Sequence, residues 1–254
     1  MMRQLKAHVR NITLCAIALG SLAATAVAST APAPSALAPV HGRYRPHIDP
    51  ANFVATVDNR YLPFIPGTAF HYEGVKGRTP QTDDEVVTHR TKRIVGVTST
   101  VVRDTVSEHG RSIERTFDYY AQDNQGNVWY MGELALERHH GRLVKASDSW
   151  LAGVNGGKPG IIMPAHPRRG DVYRQEYYPP GQALDEARVV GHRATVTVPG
   201  GTFRRPLVTL ERSPLEPQTE EKVYAAGIGE VKERVVKGGH EAFELVSVTP
   251  AMRR

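Results

Sequence analysis

Cysteine is almost missing from this chain, with a single residue, Cys15, among 254. That residue lies inside an N-terminal stretch with the three parts of a secretory leader. Arg3, Lys6 and Arg10 form a basic start, Ile12 to Val27 an apolar run, and Ala26-Val27-Ala28 a small-residue cleavage site before Ser29. Processing there leaves no thiol, which excludes a disulfide framework, a thiolate nucleophile and any Cys-ligated metal. Lipoprotein processing at Cys15 is disfavoured, because Leu14 is bulky and Cys15 comes early in the apolar run. No later stretch is apolar for the length of a membrane-spanning helix. Charge of one sign is not concentrated either. Without the leader, 29 basic residues face 26 acidic ones, a net of +3, and they interleave as in Glu230-Val231-Lys232-Glu233-Arg234. The basic stripe that nucleic acid requires is absent. The processed chain is expected to be soluble and periplasmic or secreted, with no cofactor, no membrane span and no identifiable protein partner.

Helical periodicity is lacking too, and short β-type runs bounded by turn residues take its place. The candidates are Thr68 to Gly74, Asp84 to Val95, Thr98 to Ser107, Ser112 to Gln122, Asn127 to Glu137, Val172 to Tyr178, Glu186 to Val198, Phe203 to Arg212, Glu220 to Ala225, Glu230 to Val236 and Glu241 to Val248. The clearest hairpin runs from Phe117 to Glu133, where Asp123-Asn124-Gln125-Gly126-Asn127 supplies turn chemistry between two aromatic-rich strands. Glu108 to Arg111, His140 to Arg142, Pro199 to Gly201 and Lys237 to His240 are further hairpin turns. The expected fold is all-β: an antiparallel meander curved into an open barrel, since several strands carry apolar groups on both faces. A sandwich is the alternative. The domain plan is a leader over 1–28, a mobile Pro/Ala-rich linker over 29–47, one β-rich domain over 48–249 and a tail over 250–254. Within the domain, Ile48 to Pro66 is expected as an irregular lead-in with a helical turn after Asp49-Pro50, packing Phe53, Tyr61, Leu62, Phe64 and Ile65 on the sheet. Trp150 to Gly170 has too many Gly and Pro for strand or helix, and is expected to be a strap, or a lid over a cavity, with Ile161-Ile162-Met163 as its apolar plug.

Several stretches carry a resemblance to an uncharacterised family of secreted bacterial proteins. They are the Phe117 to Glu133 hairpin, Gly160-Ile161-Ile162-Met163-Pro164-Ala165, Tyr173-Arg174-Gln175-Glu176-Tyr177-Tyr178, Val198-Pro199-Gly200-Gly201-Thr202-Phe203 and the segment Tyr224 to Lys232. The likeness spans about Phe53 to Val246. The family has Tyr-Ala-Pro-Gly-Val-Gly in the late motif, where this chain has Ala226 for the proline and Ile228 for the valine. The resemblance implies a β-rich extracytoplasmic domain and brings no established activity or catalytic residues to carry over. More distantly, the turn at Val198 to Phe203 paired with that at Tyr224 to Lys232 is similar to periplasmic half-open barrels, some of which handle lipids.

Candidate chemistry is sparse. His71 and Glu73 share a strand face and could form half of a metal site, but no further His pair completes it, and His139 and His140 diverge beside a turn. The Asp123 to Asn127 loop has oxygen ligands without the terminal acid that a calcium loop needs. No metal site is expected. Nucleophile motifs such as Gly-x-Ser-x-Gly and Ser-x-x-Lys are absent. Asp104, Asp118 and Glu133 fall on three successive strands; in the right register they would share one concavity with Arg103 or Tyr120, as an acid/base cluster or as a buried polar network. Tyr120, Trp129, Trp150, Ile161, Ile162, Met163 and Tyr177 are the candidates to contact an apolar or amphipathic ligand, if they are not simply core. Three readings stay open: a noncatalytic binding module for a hydrophobic or amphipathic small molecule or lipid, a secreted enzyme using the three carboxylates, and an envelope module that pairs through a free sheet edge.

Overall fold

The computed structural model describes residues 33–251. The leader, Cys15, the first residues of the expected linker and the end of the C-terminal tail lie outside the described residues. The chain from Ala69 onward is a meander. Strand Ala69–Lys76 pairs with Thr79–Ile94, which pairs with Val97–Asp104, and Glu114–Asp123 and Val128–His139 follow, all antiparallel. Lys158–Met163 lies along the start of Val128–His139. The second half runs Glu186–His192, Leu207–Arg212, Thr219–Ala225, Gly229–Lys237 and Glu241–Thr249, each paired with its predecessor. Glu241–Thr249 then returns to the first strand, from Ala69↔Thr249 to Lys76↔Glu241. The sheet thereby becomes an open barrel, as the two-faced apolar pattern implies.

Departures from the expected strands have local causes. Glu186 to Val198 is divided, because the register shifts at Gly191 and the later residues form a separate ribbon, Thr195–Val198 with Gly201–Arg204. Phe203 to Arg212 breaks at Arg205, which has a φ of 49°, and at Pro206, which has no N–H to donate. The strap contains two strands where none was expected, Trp150–Leu151 and Lys158–Met163. Ile161 and Met163 are completely buried, and that burial outweighs the flanking Gly and Pro; Pro159 is tolerated near the start of its strand. In the lead-in, Pro50–Asn52 forms the expected turn with Asp49 accepting from the Ala51 N–H, and Tyr61, Leu62 and Phe64 are buried. Ile65 is exposed instead of packed. Asn59 fastens this segment: its amide donates to the carbonyls of Gly126 and Pro164, and its oxygen accepts from the Tyr61 and Leu62 N–H groups.

One seam interrupts the wall. Lys158–Met163 meets Glu176–Tyr177 only through Lys158↔Tyr177 and Pro159↔Glu176, whereas Val172–Arg174 pairs the other way, with Glu186–His192. The chain switches partner at Gln175, whose N–H goes to the Asp185 carbonyl. Over this gap lies the part of the expected linker that the structure describes, docked rather than mobile. The Arg174 N–H donates to the Ala38 carbonyl at 2.8 Å, and its guanidinium donates to Val40 at 2.7 Å and Pro39 at 3.4 Å. Lys158 Nζ donates to the Tyr44 carbonyl at 2.8 Å, and the Tyr44 hydroxyl donates to the Pro159 carbonyl. The Tyr44 ring packs against Tyr177 at 5.6 Å, with the Arg174 guanidinium over both rings. Tyr44 and Ala38 are buried, and the seam binds this Pro/Ala-rich stretch through the carbonyls of Ala38, Pro39, Val40 and Tyr44 together with the Tyr44 side chain. Loss of the Tyr44 hydroxyl in Tyr44→Phe is expected to cost about 1 kcal/mol. Arg174→Ala, which leaves the buried Glu186 carboxylate with only the exposed Arg212 nearby, is expected to cost about 3 kcal/mol. Urea unfolding of the two variants checks the ranking.

Candidate functional site

The inward face of the barrel is acidic. Asp83 and Glu85 come from strand Thr79–Ile94, Asp104 from Val97–Asp104, and Glu114, Thr116, Asp118 and Tyr120 from alternate positions of Glu114–Asp123. Glu133, Glu230, Glu233 and Glu241 complete nine carboxyl groups around a cavity of about 340 Å³. Lys222 is the single basic residue on its wall. Leu62, Phe64, Phe70, Ile162, Ile228 and Phe243 supply apolar surface to the same space, so the lead-in and the strap both reach the lumen.

Asp104, Asp118 and Glu133 are therefore brought into one concavity with Tyr120. Arg103 is not; it is exposed, because it is one residue from Asp104 and a strand turns successive side chains to opposite faces. Glu133 reaches the lumen through an irregularity. Tyr119 pairs with Gly132 but Tyr120 pairs with Tyr130, so Met131 is an extra residue in a bulge. The bulge restores Glu133 to the face that carries Tyr130. Gly132 sits there with a φ of 131°, and a Cβ on it would come within 2.5 Å of the Trp150 carbonyl oxygen, so only glycine fits. Gly126 plays the expected part in the neighbouring hairpin turn, with a φ of 92°.

The hydroxyl of Tyr130 lies 2.6 Å from Asp118 Oδ1 and 2.9 Å from Glu133 Oε2. A phenol has one proton to donate, so the two contacts are best satisfied when one of the carboxyls is protonated and donates back. Burial favours this state. It raises Asp118 to about 7, against the lowering effect of the Tyr130 hydrogen bond, and raises Glu133 well above the usual carboxylate range, with Asp118 adding to the shift. Burial likewise raises Glu85 to about 8, with Asp83 and Asp118 contributing, and raises Asp104 beside Asp83. Burial opposes the Lys222 ammonium, but Glu230, Glu233 and Glu211 more than offset it and raise its pKa. Lys222 Nζ lies 3.0 Å from Glu233, 3.7 Å from Glu230 and 3.9 Å from Glu211.

The expected ligand-contacting residues divide. Tyr120 and Ile162 line the cavity, with Tyr120 held between Phe64 at 4.7 Å and Tyr130 at 5.0 Å. Ile161 and Met163, on the alternate positions of the same strand, are fully buried and do not line it. Trp129 is buried, edge-on to Phe53, and its indole donates to Asp123. Trp150 donates to Glu176 and lines, with Glu133, Tyr119 and Tyr178, a separate hollow of about 250 Å³. Tyr177 belongs to the seam. His71 pairs with Asp84 at 2.7 Å and Glu73 at 3.9 Å near the surface, and among the described residues no group of three or more His, Cys, Asp or Glu is arranged to hold a metal. Asp123 spends both oxygens on its own hairpin: Oδ1 accepts from the Gln125 and Asn127 N–H groups, Oδ2 from the Asn127 amide and the Trp129 indole.

The structure adds Asp83, Glu85, Glu114, Glu230, Glu233, Glu241 and Lys222 to the candidates. Asp83 with Glu85 and Glu114 with Asp118 keep period-two spacing in the sequence, but that pattern is shared by a solvated strand face, and Glu230 and Glu233, three apart, meet on one face only through the register shift at Val231.

The raised carboxyl pKa values make stability depend on pH. The folded protein keeps protons on Glu85 and Asp118 up to about 8 and about 7, while the unfolded chain releases them near its ordinary value of about 4. The stability these groups contribute is fully present below about pH 4 and is lost as pH rises through 7 to 8. Thermal unfolding is expected to give a lower Tm at pH 8.5 than at pH 5.5, and Asp118→Asn to flatten that slope.

No family model and no curated protein matches the chain. Among solved structures, it is similar to an exported protein of Bacteroides fragilis described as having a YmcC-like fold, at 14% identity and a TM-score of 0.44 over 76% of this chain and 100% of that one. It is also similar to a lipoprotein of Parabacteroides distasonis, at 10% identity and a TM-score of 0.41 over 75% of this chain and 99% of that one.

Proposed function

We propose that this chain is a noncatalytic extracytoplasmic binding module whose barrel lumen holds a small amphipathic molecule. The observation that carries this reading is the cavity of about 340 Å³ with one apolar and one hydrogen-bonding set of wall residues, Phe64, Ile162 and Phe243 beside Tyr120, Asp118 and Glu85. A purely apolar occupant is disfavoured, because it would cover nine carboxyl groups without pairing any of them. Near-closure of the sheet also removes most of the free edge that an adaptor pairing by strand addition would need.

The Asp118–Tyr130–Glu133 contact favours a second reading, an enzyme in which one carboxyl acts as acid and the other as base near neutral pH. The two readings separate on substitution. Under the binding reading, Glu133→Gln leaves an occupant in place; under the catalytic reading, it abolishes turnover of whatever enters.

Native mass spectrometry of the protein purified from its own compartment is expected to show a stoichiometric adduct that is lost on unfolding and refolding. Ile162→Trp, which places an indole in the lumen, is expected to remove the adduct while costing roughly 1–3 kcal/mol of stability. A clean mass in both the native and the refolded sample counts against the binding module.

A further inference from the structure

Resting on that reading, we propose that the lumen is a site for a small aliphatic di- or polyamine, bound as its ammonium cation. The wall holds nine carboxyl groups and one ammonium, and no arginine. Lys222 shows how an amine is held here: an alkyl stem ends in an ammonium 3.0 Å from Glu233 and 3.7 Å from Glu230. The other side of the cavity has the same acceptors without a cation. Asp118 is only 8% exposed and lines the cavity; its Oδ1 is taken by Tyr130, and its Oδ2 has no hydrogen bond among the described residues. Asp83 Oδ1 is buried and has no hydrogen bond among the described residues.

The class of cation follows from the arrangement. The free carboxyls are spread over several strands and do not converge in a set that would hold a metal ion. An ammonium carries three donors on a flexible stem and suits separated acceptors, and an alkyl chain suits Phe64, Ile162 and Phe243 between them. Cation–π contact is not the means, since both faces of Tyr120 are already covered by Phe64 and Tyr130.

Binding is coupled to protons. In the low-dielectric lumen the carboxyls suppress their charge by staying protonated, and a bound dication lets the groups beside it ionise. The groups that act on Asp118 are Tyr130 and Glu133 on the strand to one side, Glu114 on its own strand, and Asp104, Asp83 and Glu85 on the next two strands to the other side, with Lys222 as the single basic residue on the cavity wall. An aliphatic amine stays charged up to about pH 10, so affinity is expected to rise with pH between 5.5 and 8.5.

The test is titration calorimetry of the refolded processed chain with 1,4-diaminobutane, spermidine and the uncharged 1,6-hexanediol, at pH 5.5 and 8.5, in buffers of unlike ionisation enthalpy. The expected result is amine binding that releases protons and is at least about tenfold tighter at pH 8.5, with the diol weaker than either amine. The double variant Glu85→Gln/Asp118→Asn keeps the cavity's size and removes like charge, so it folds; it is expected to weaken amine binding about tenfold and to reduce proton release, the remainder coming from Glu133 and Asp104. Diol binding as tight as that of the amines overturns the cation assignment and leaves the amphipathic-ligand reading standing. No binding by any of the three overturns the amine site, and the amphipathic-ligand reading is then decided by the native mass of the protein from its own compartment. Amine binding that is unchanged in the double variant, or fully displaced by an equal concentration of magnesium, is surface charge pairing and overturns the site.

Discussion

Pairing between the first long strand and the last sets the rest of this structure. Ala69–Lys76 and Glu241–Thr249 are the ends of the meander, and every strand between them has its inward face only because these two meet. The contact joins distant parts of the chain, so its loop-closure cost is high and its reward is collective. Once it forms, each interior position loses water at the same time, and side chains that would be ordinary surface acids on an open sheet become lumen groups.

That confinement creates a conflict that the barrel resolves with protons. Carboxyls from opposite walls cannot all carry charge in a space of about 340 Å³, and one lysine does not neutralise them. Apolar residues at Asp83, Glu85, Asp104 and Asp118 would fill the lumen and give a more stable, sealed core. The chain keeps acids there and holds them with a phenol, a bulge and burial. A fold that gives up stability at a cavity in this way breaks a local rule of foldability, as natural proteins do most often at functional sites.

Much of the fold can be read from the sequence, because strand alternation and turn residues are local signals. The hairpin around Asp123 to Asn127, the absence of helices from the wall and the curvature implied by strands apolar on both faces all follow from spacing alone. The site is half legible. Asp104, Asp118 and Tyr120 point inward by simple alternation, but Glu133 does so only because Met131 is extra, and a bulge leaves no mark beyond a glycine at 132. The remaining acids, among them Asp83 and Glu230, looked like a wet face because exposure is decided by closure, which is a property of the whole sheet. Residues 33–44 were hidden for another reason: apart from the Tyr44 side chain their carbonyls do the binding, and composition says nothing about carbonyls.

The docking of that segment also divides the molecule by how it would yield to force. A pull at residue 33 peels Ala38, Val40 and Tyr44 from the seam one contact at a time, since each is held by bonds that break in sequence. A pull at the other end loads Glu241–Thr249 in shear against neighbours on both sides, so the bonds of two ladders must fail together. The barrel is thus mechanically polar, with a yielding edge beside the seam and a resistant one at its closure.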